Sequence, residues 1–208
     1  MSEILGWHFL RDDGTRAQDG VRVEPGATET WNGPLELCKS GLHFCVRPLD
    51  ALSYARGALV RRVRLSGDIL QSEGADKGCA TVREELWRAD VTTLLHEFAR
   101  DVAEQELDAL AARGGTVDPR SRAVLDVKRR WARGDATDAE LNAAWDAASG
   151  AVWDAGSVIV GVVVRVVFLA AVWHVVGAAA RNAAWDAINA DLERRLLALP
   201  VARRGGAE

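Results

Sequence analysis

The sequence predicts an α+β fold in two parts: a small mixed sheet over residues 1–82 and an alanine-rich helical bundle over 83–200, with a flexible tail at 201–208. Three observations carry this. Up to about residue 82 the apolar runs are short and separated by turn signals: Asp13-Gly14, Asp19-Gly20, Pro25-Gly26, Asn32-Gly33-Pro34 and Ser66-Gly67-Asp68. After Arg83 apolar residues recur at helical spacing between caps and glycine stops. From Ala143 to Asp191 the chain runs in four-residue units, and the hexapeptide Asn-Ala-Ala-Trp-Asp-Ala occurs at both 142–147 and 182–187.

Taken in order, ILGWHFL (4–10), LHFCV (42–46) and LVRRVRL (59–65) are the expected strands. The last alternates apolar and basic residues, as in a sheet with one wet face. RPLDALSYA (47–55) fits a short helix that offers Leu49, Leu52 and the Tyr54 ring to a core. Asp90 is placed to cap a helix that buries Val91, Leu94, Leu95, Phe98, Val102, Leu107 and Leu110 and stops at Gly114-Gly115. Asp118-Pro119 opens another, with Asp as cap and Pro in the first helical position, which carries Val124, Val127 and Trp131 inward and ends at Gly134. Thr137-x-x-Glu140 is a capping box for a third.

The four-residue units cannot share one straight helix. Four residues turn about 400°, so the phase drifts about 40° per unit. A single helix over 138–198 would also be about 90 Å long at 1.5 Å per residue. Breaks are expected at Gly150, Gly156 or Gly177, giving at least five closely packed helices. Trp145, Trp153, Trp173 and Trp185 fall on one phase and are read as core, with Asp146, Asp154 and Asp186 toward helix edges. There the acids could pair with Arg165 or Arg181, or face a basic partner. Trp131, Asp146, Asp154, Arg165 and Asp186 are the candidate binding residues of this half.

Nearly half of the 208 residues are apolar, enough for a real core. The net charge is −4 and basic residues alternate with acids, so a nucleic-acid partner is not expected. Cys38, Cys45 and Cys79 make no disulfide framework, and MSEILGWHFLRDDG lacks a basic n-region and cleavage site, so a cytoplasmic setting is expected. Residues 158–180 form an apolar run long enough to span a bilayer. Arg165 near its middle costs roughly 2.5–3.5 kcal/mol on insertion scales, which favours a helix buried in a bundle over a membrane segment.

DPRSRAVLDVKRRWARGDATDAELNAAWDAA (118–148) resembles the alanine-rich helical immunity proteins of bacterial polymorphic-toxin systems. The shared features are Asp-x-Arg opening a helix, a Trp-Ala-Arg-Gly stop, a capping box, and small-residue helices with spaced Trp. The resemblance covers about 83–198; the valine-rich 158–169 departs from it. In the first half, GWHFLRDDG (6–14), Leu-Cys-x-x-Gly-Leu-His (37–43) and Pro-Leu-Asp-Ala-Leu-x-Tyr-Ala (48–55) resemble an uncharacterised domain of phage and prophage proteins. Together the two resemblances imply a phage-type accessory protein that works by binding.

For chemistry, Gly41–Cys45 followed by Ser53-Tyr54 is loosely similar to the strand–helix segment of ADP-ribosyltransferases. That likeness implies Tyr54 stacking on nicotinamide, Ser53 holding its amide, and Glu84 or Glu85 polarising the ribose. The plainer reading puts His43 and Cys45 on one strand face and Phe44 on the other, with Tyr54 packing the helix back. Cys38, His43, Cys45 and Cys79 are zinc-type residues, but C-x4-H-x-C with a distant Cys matches no common ligand spacing. His8 and His96 have no partner visible in sequence, and His174 sits in the apolar run. No cofactor is expected. The expected activity is stoichiometric neutralisation of a toxin or host-defence component. The alternatives are an ADP-ribosyltransferase-like enzyme, a sponge for a small signalling nucleotide, and a membrane-inserted effector.

Overall fold

The computed structural model describes residues 3–74, 76–155 and 178–201. The strands are β1 (Ile4–Leu10), β2 (Thr28–Thr30), β3 (Leu42–Cys45), β4 (Leu59–Gln71) and β5 (Lys77–Asp90). The helices are α1 (Pro48–Leu52), α2 (Thr92–Ala112), α3 (Pro119–Ala132), α4 (Asp138–Ala155) and α5 (Ala178–Leu197). The α+β class predicted from sequence is what the chain adopts. It divides into two compact units, one comprising 1–92 with 186–208 and the other 93–185.

In the first unit every pairing is antiparallel. β1 lies between β3 and β4, β4 pairs β5 along nearly its whole length, and the start of β5 pairs β3. The pairing therefore returns on itself, β1–β4–β5–β3–β1, and β2 adds to β5 beyond β3. Closure removes the open edges that a four-stranded sheet would otherwise present. Its core includes Trp7, Phe9, Leu10, Phe44, Val60, Val63, Leu65, Ala80, Leu86 and Trp87. The rings of Trp7 and Trp87 meet edge to face with centroids 5.6 Å apart.

Two expectations about this sheet are corrected. Ser66-Gly67-Asp68 is not a turn: β4 continues through it as a bulge between the pairs Ser66↔Val82 and Ile69↔Ala80. Gly67 sits there at φ +75°, and the Asp68 N–H donates to Thr81 Oγ1 at 2.9 Å. Nor are all the basic residues of 59–65 wet. Arg61 and Arg62 are buried, because carboxylates and an aromatic ring meet them from other elements.

The sheet also extends beyond residue 82. Residues 83–90 form the second half of β5, so the change to helix falls at 90–92. EELWRAD is rich in helix formers, but its partners on β4 and β2 decide its state. The end of α5 belongs with the sheet as well. Trp7 Nε1 donates to Glu193 at 3.2 Å, Arg47 pairs with Asp186 at 2.6 Å, and Leu192 and Leu196 are fully buried.

The expected helix caps are present. Asp90 accepts from the Thr92 N–H at 2.8 Å, and Asp118 from the Arg120 N–H at 2.8 Å. Thr137 and Glu140 exchange their bonds: Glu140 accepts from the Thr137 N–H at 2.8 Å, and Thr137 Oγ1 from the Glu140 N–H at 3.2 Å. α2 and α3 stop before Gly114 and Gly134. Ala103, Leu107, Val124, Leu125 and Ala148 form the core of the second unit, with Trp145 packed against it. Gly150 lies inside α4 and does not break it. Gly156, Arg165, Trp173, His174 and Gly177 lie outside the described residues, as does most of 158–180. No described helix is long and apolar enough to cross a membrane.

Candidate functional site

A cavity of about 380 Å³ lies within the sheet unit. β1 supplies Trp7, His8 and Phe9; β3 supplies His43, Phe44 and Cys45; Lys77 and Gly78 come from the start of β5. The two loops before β3 give Ala17, Gln18, Leu37 and Cys38, and the α1 region gives Ala51 and Tyr54. β1 and β3 share only the register pair Trp7↔Cys45, so their lining side chains are not drawn together by a long ladder. Glycine admits Phe44: a Cβ on Gly6 or Gly78 would come within 2.9 or 2.7 Å of its ring.

The polar lining groups have definite roles. Gln18 donates from Nε2 to the Lys39 carbonyl at 3.1 Å, which turns Oε1 toward His43 Nδ1 at 3.0 Å. His43 Nδ1 therefore carries the ring proton. Its lone pair, on Nε2, is buried with no hydrogen-bond partner among the described residues. His8 has the opposite tautomer. Arg61 Nη2 lies 3.1 Å from His8 Nδ1, and a guanidinium only donates, so His8 keeps its proton on Nε2. At the mouth, Lys77 Nζ donates to the Tyr54 hydroxyl at 3.1 Å and lies 5.5 Å from the ring centroid. That bond occupies a phenol lone pair and leaves the Tyr54 O–H free to donate.

Behind His8 lies a buried ionic cluster. Glu29 accepts from Arg83 at 2.9 and 3.0 Å, from Arg61 at 2.9 Å and from Arg16 at 3.2 Å. Glu85 accepts from Arg88 at 2.7 and 2.6 Å and from the Gly26 N–H at 2.9 Å, and lies 3.5 Å from Arg61. Asp19 is the second partner of Arg16. Four guanidiniums thus meet three carboxylates. Burial alone would raise the Glu29 carboxyl, but the charges and hydrogen bonds of Arg83 and Arg61 hold it down at about 2. Burial and the same two arginines push His8 well below 6.5. Burial and then Arg83 lower His43 too. Both rings are neutral near pH 7.

The structure gathers four residues singled out from sequence, Cys38, His43, Cys45 and Tyr54, into this one cavity. It corrects their roles. Tyr54 does not pack α1 back; it is 56% exposed at the mouth. Ser53 turns its hydroxyl onto the Leu49 carbonyl at 3.3 Å. Glu84 pairs with Arg64 at 2.8 Å and Glu85 with Arg88, so neither lines the cavity. Cys38 is exposed, Cys45 and Cys79 are buried, and burial drives the Cys45 thiol up to about 12. Among the described residues no three His, Cys, Asp or Glu side chains come together to hold a metal. Lys77, Gln18 and His8 were missed as site residues, since nothing local in sequence marks them and only the strand pairing brings them together.

Trp131 donates from Nε1 to Asp138 at 2.7 Å, and its ring meets His96 edge to face at 5.0 Å. His96 is thereby half-buried, and burial lowers its pKa. Asp146 is exposed. Asp186 pairs with Arg47; Arg165 and the Arg181 side chain lie outside the described residues. Asp154 lies in α4.

Residues 4–97 match the family model described as a domain of unknown function, DUF7666. That stretch holds all five strands, α1 and the start of α2, and it contains every lining residue of the cavity. No curated protein and no solved structure matches the chain.

Proposed function

We propose that this is a non-enzymatic, phage- or prophage-type binding protein that neutralises a toxin or host-defence component by stoichiometric capture in the cytoplasm. In the version the geometry favours, a small molecule such as a signalling nucleotide is sequestered in the sheet unit. The cavity carries that reading. At about 380 Å³ with mainly apolar walls, it lies in the range of small-ligand pockets. Among the described residues no carboxylate lines it, its histidines are neutral, and the Cys45 thiol is raised far from ionisation, so its side chains suit holding better than turnover.

An ADP-ribosyltransferase reading has less support, because both candidate glutamates are spent on arginines away from the cavity. The immunity-like reading of 83–198 remains the route to a protein toxin and rests on the helical motifs. The test is native mass spectrometry of the full chain purified gently from a bacterial cytoplasm, alongside a nicotinamide-release assay with NAD. A small adduct at fixed stoichiometry and no nicotinamide release are expected. A retained polypeptide would move the reading to protein capture, and nicotinamide release would overturn it in favour of the enzyme.

A further inference from the structure

We infer that the cavity takes a small planar aromatic anion, a ring bearing a phosphate or carboxylate, with the ring among the apolar walls and the anionic group at Lys77 and Tyr54. This rests on the small-ligand reading above. Among the described residues Lys77 is the only charged one in the lining, and it is a cation. Its bond to the Tyr54 oxygen leaves the phenol proton to be donated, so the pair offers two donors side by side. His8, held by Arg61 at Nδ1, carries its proton on Nε2 and is a third donor. The one imidazole lone pair that could accept, His43 Nε2, is buried away from solvent.

The side chains therefore offer donors and a positive charge where a ligand would have to supply acceptors. The surplus of guanidiniums behind His8 adds to the same field. Tyr54, half exposed beside Lys77, presents a ring face on which a second ring can stack. Phe9, Phe44 and Leu37 supply apolar wall for the rest of the ring system.

The experiment is calorimetric titration of the full-length protein with adenosine 5′-monophosphate, indole-3-carboxylate, and the uncharged counterparts adenosine and indole. It is repeated with Lys77→Met and Tyr54→Phe, whose melting temperatures are checked first. At least one anion should bind about tenfold or more tighter than its uncharged counterpart, as for a charge-assisted hydrogen bond. The two anions separate a phosphate site from a carboxylate site. Lys77→Met should abolish the preference and Tyr54→Phe should reduce it. Equal binding of charged and uncharged probes, or an unchanged preference in Lys77→Met, overturns the inference. So does failure of both anions to bind. In that case a neutral or cationic adduct in the native mass spectrum would leave the small-ligand reading standing, and no adduct would remove both.

Discussion

The backbone N–H of Leu49 donates to Oδ1 of Asn189 at 2.9 Å, across 140 residues of sequence. Leu49 is the second residue of α1, where the N–H has no intrahelical acceptor, and the preceding Arg47 makes no side-chain cap bond. A side chain from α5 therefore does the work that a local Ser or Asp usually does. Asn189→Ala leaves that buried N–H unsatisfied and should cost about 1–3 kcal/mol. Urea denaturation monitored by Trp fluorescence would show it as a lower midpoint with an unchanged slope; an unchanged midpoint would mean the cap contributes nothing.

The same stretch of α5 should be indispensable to the sheet unit. Leu192 and Leu196 are both fully buried there. Each change to Ala removes apolar contact and leaves a cavity, so each should destabilise by about 2–5 kcal/mol. Wild-type melting temperature in both variants would show that this segment is not part of the core.

Glu29 is the hub of the buried ion cluster, accepting from Arg16, Arg61 and Arg83. Glu29→Gln preserves shape but leaves buried guanidiniums short of a negative charge. The expected loss is about 3–5 kcal/mol. Replacing the exposed pair partner Glu36, which faces Lys39 at the surface, should by contrast cost under about 1 kcal/mol. Similar losses at both sites would refute the distinction.

Stability should fall with acid in two stages. His8 titrates below 6.5 in the fold, so as pH drops through 6.5 the unfolded chain takes up the proton first and unfolding is favoured. His43 and His96 are lowered in the same direction. Glu29 adds a second stage: its contribution is complete above its ordinary 4.5 and is lost as pH falls toward about 2. Denaturation midpoints measured from pH 8 to pH 3 should decline first below 6.5 and then more steeply below 4.5. A flat profile between 8 and 5 would contradict the buried neutral state of His8.

The candidate cavity could be read from sequence only in part. The segments carrying His43, Cys45 and Tyr54 stood out because strand, turn and short helix follow one another within fifteen residues. Lys77 could not stand out, since its relevance comes from β5 pairing with β3, Lys77↔Cys45. The charge of 59–65 misled for a related reason. Alternation reports that a strand has two faces, but not that Glu29, on a three-residue strand, will bury Arg61 or that Glu193 and Trp7 will cover Arg62.

Local chemistry accounts for one part of this structure. β1 follows from the run 4–10, and α1, the caps at Asp90 and Asp118, the Thr137–Glu140 box and the stops before Gly114 and Gly134 follow from residues within a few positions of one another. Tertiary structure decided that 83–90 is strand and not helix, because pairing with β2 and β4 outweighs the helix propensity of EELWRAD. It decided that Arg61 is buried, that the end of α5 closes on the sheet, and that His8, His43, Tyr54 and Lys77 share one cavity. Each of these depends on contacts between residues far apart in the chain, whose energies no local window of sequence contains.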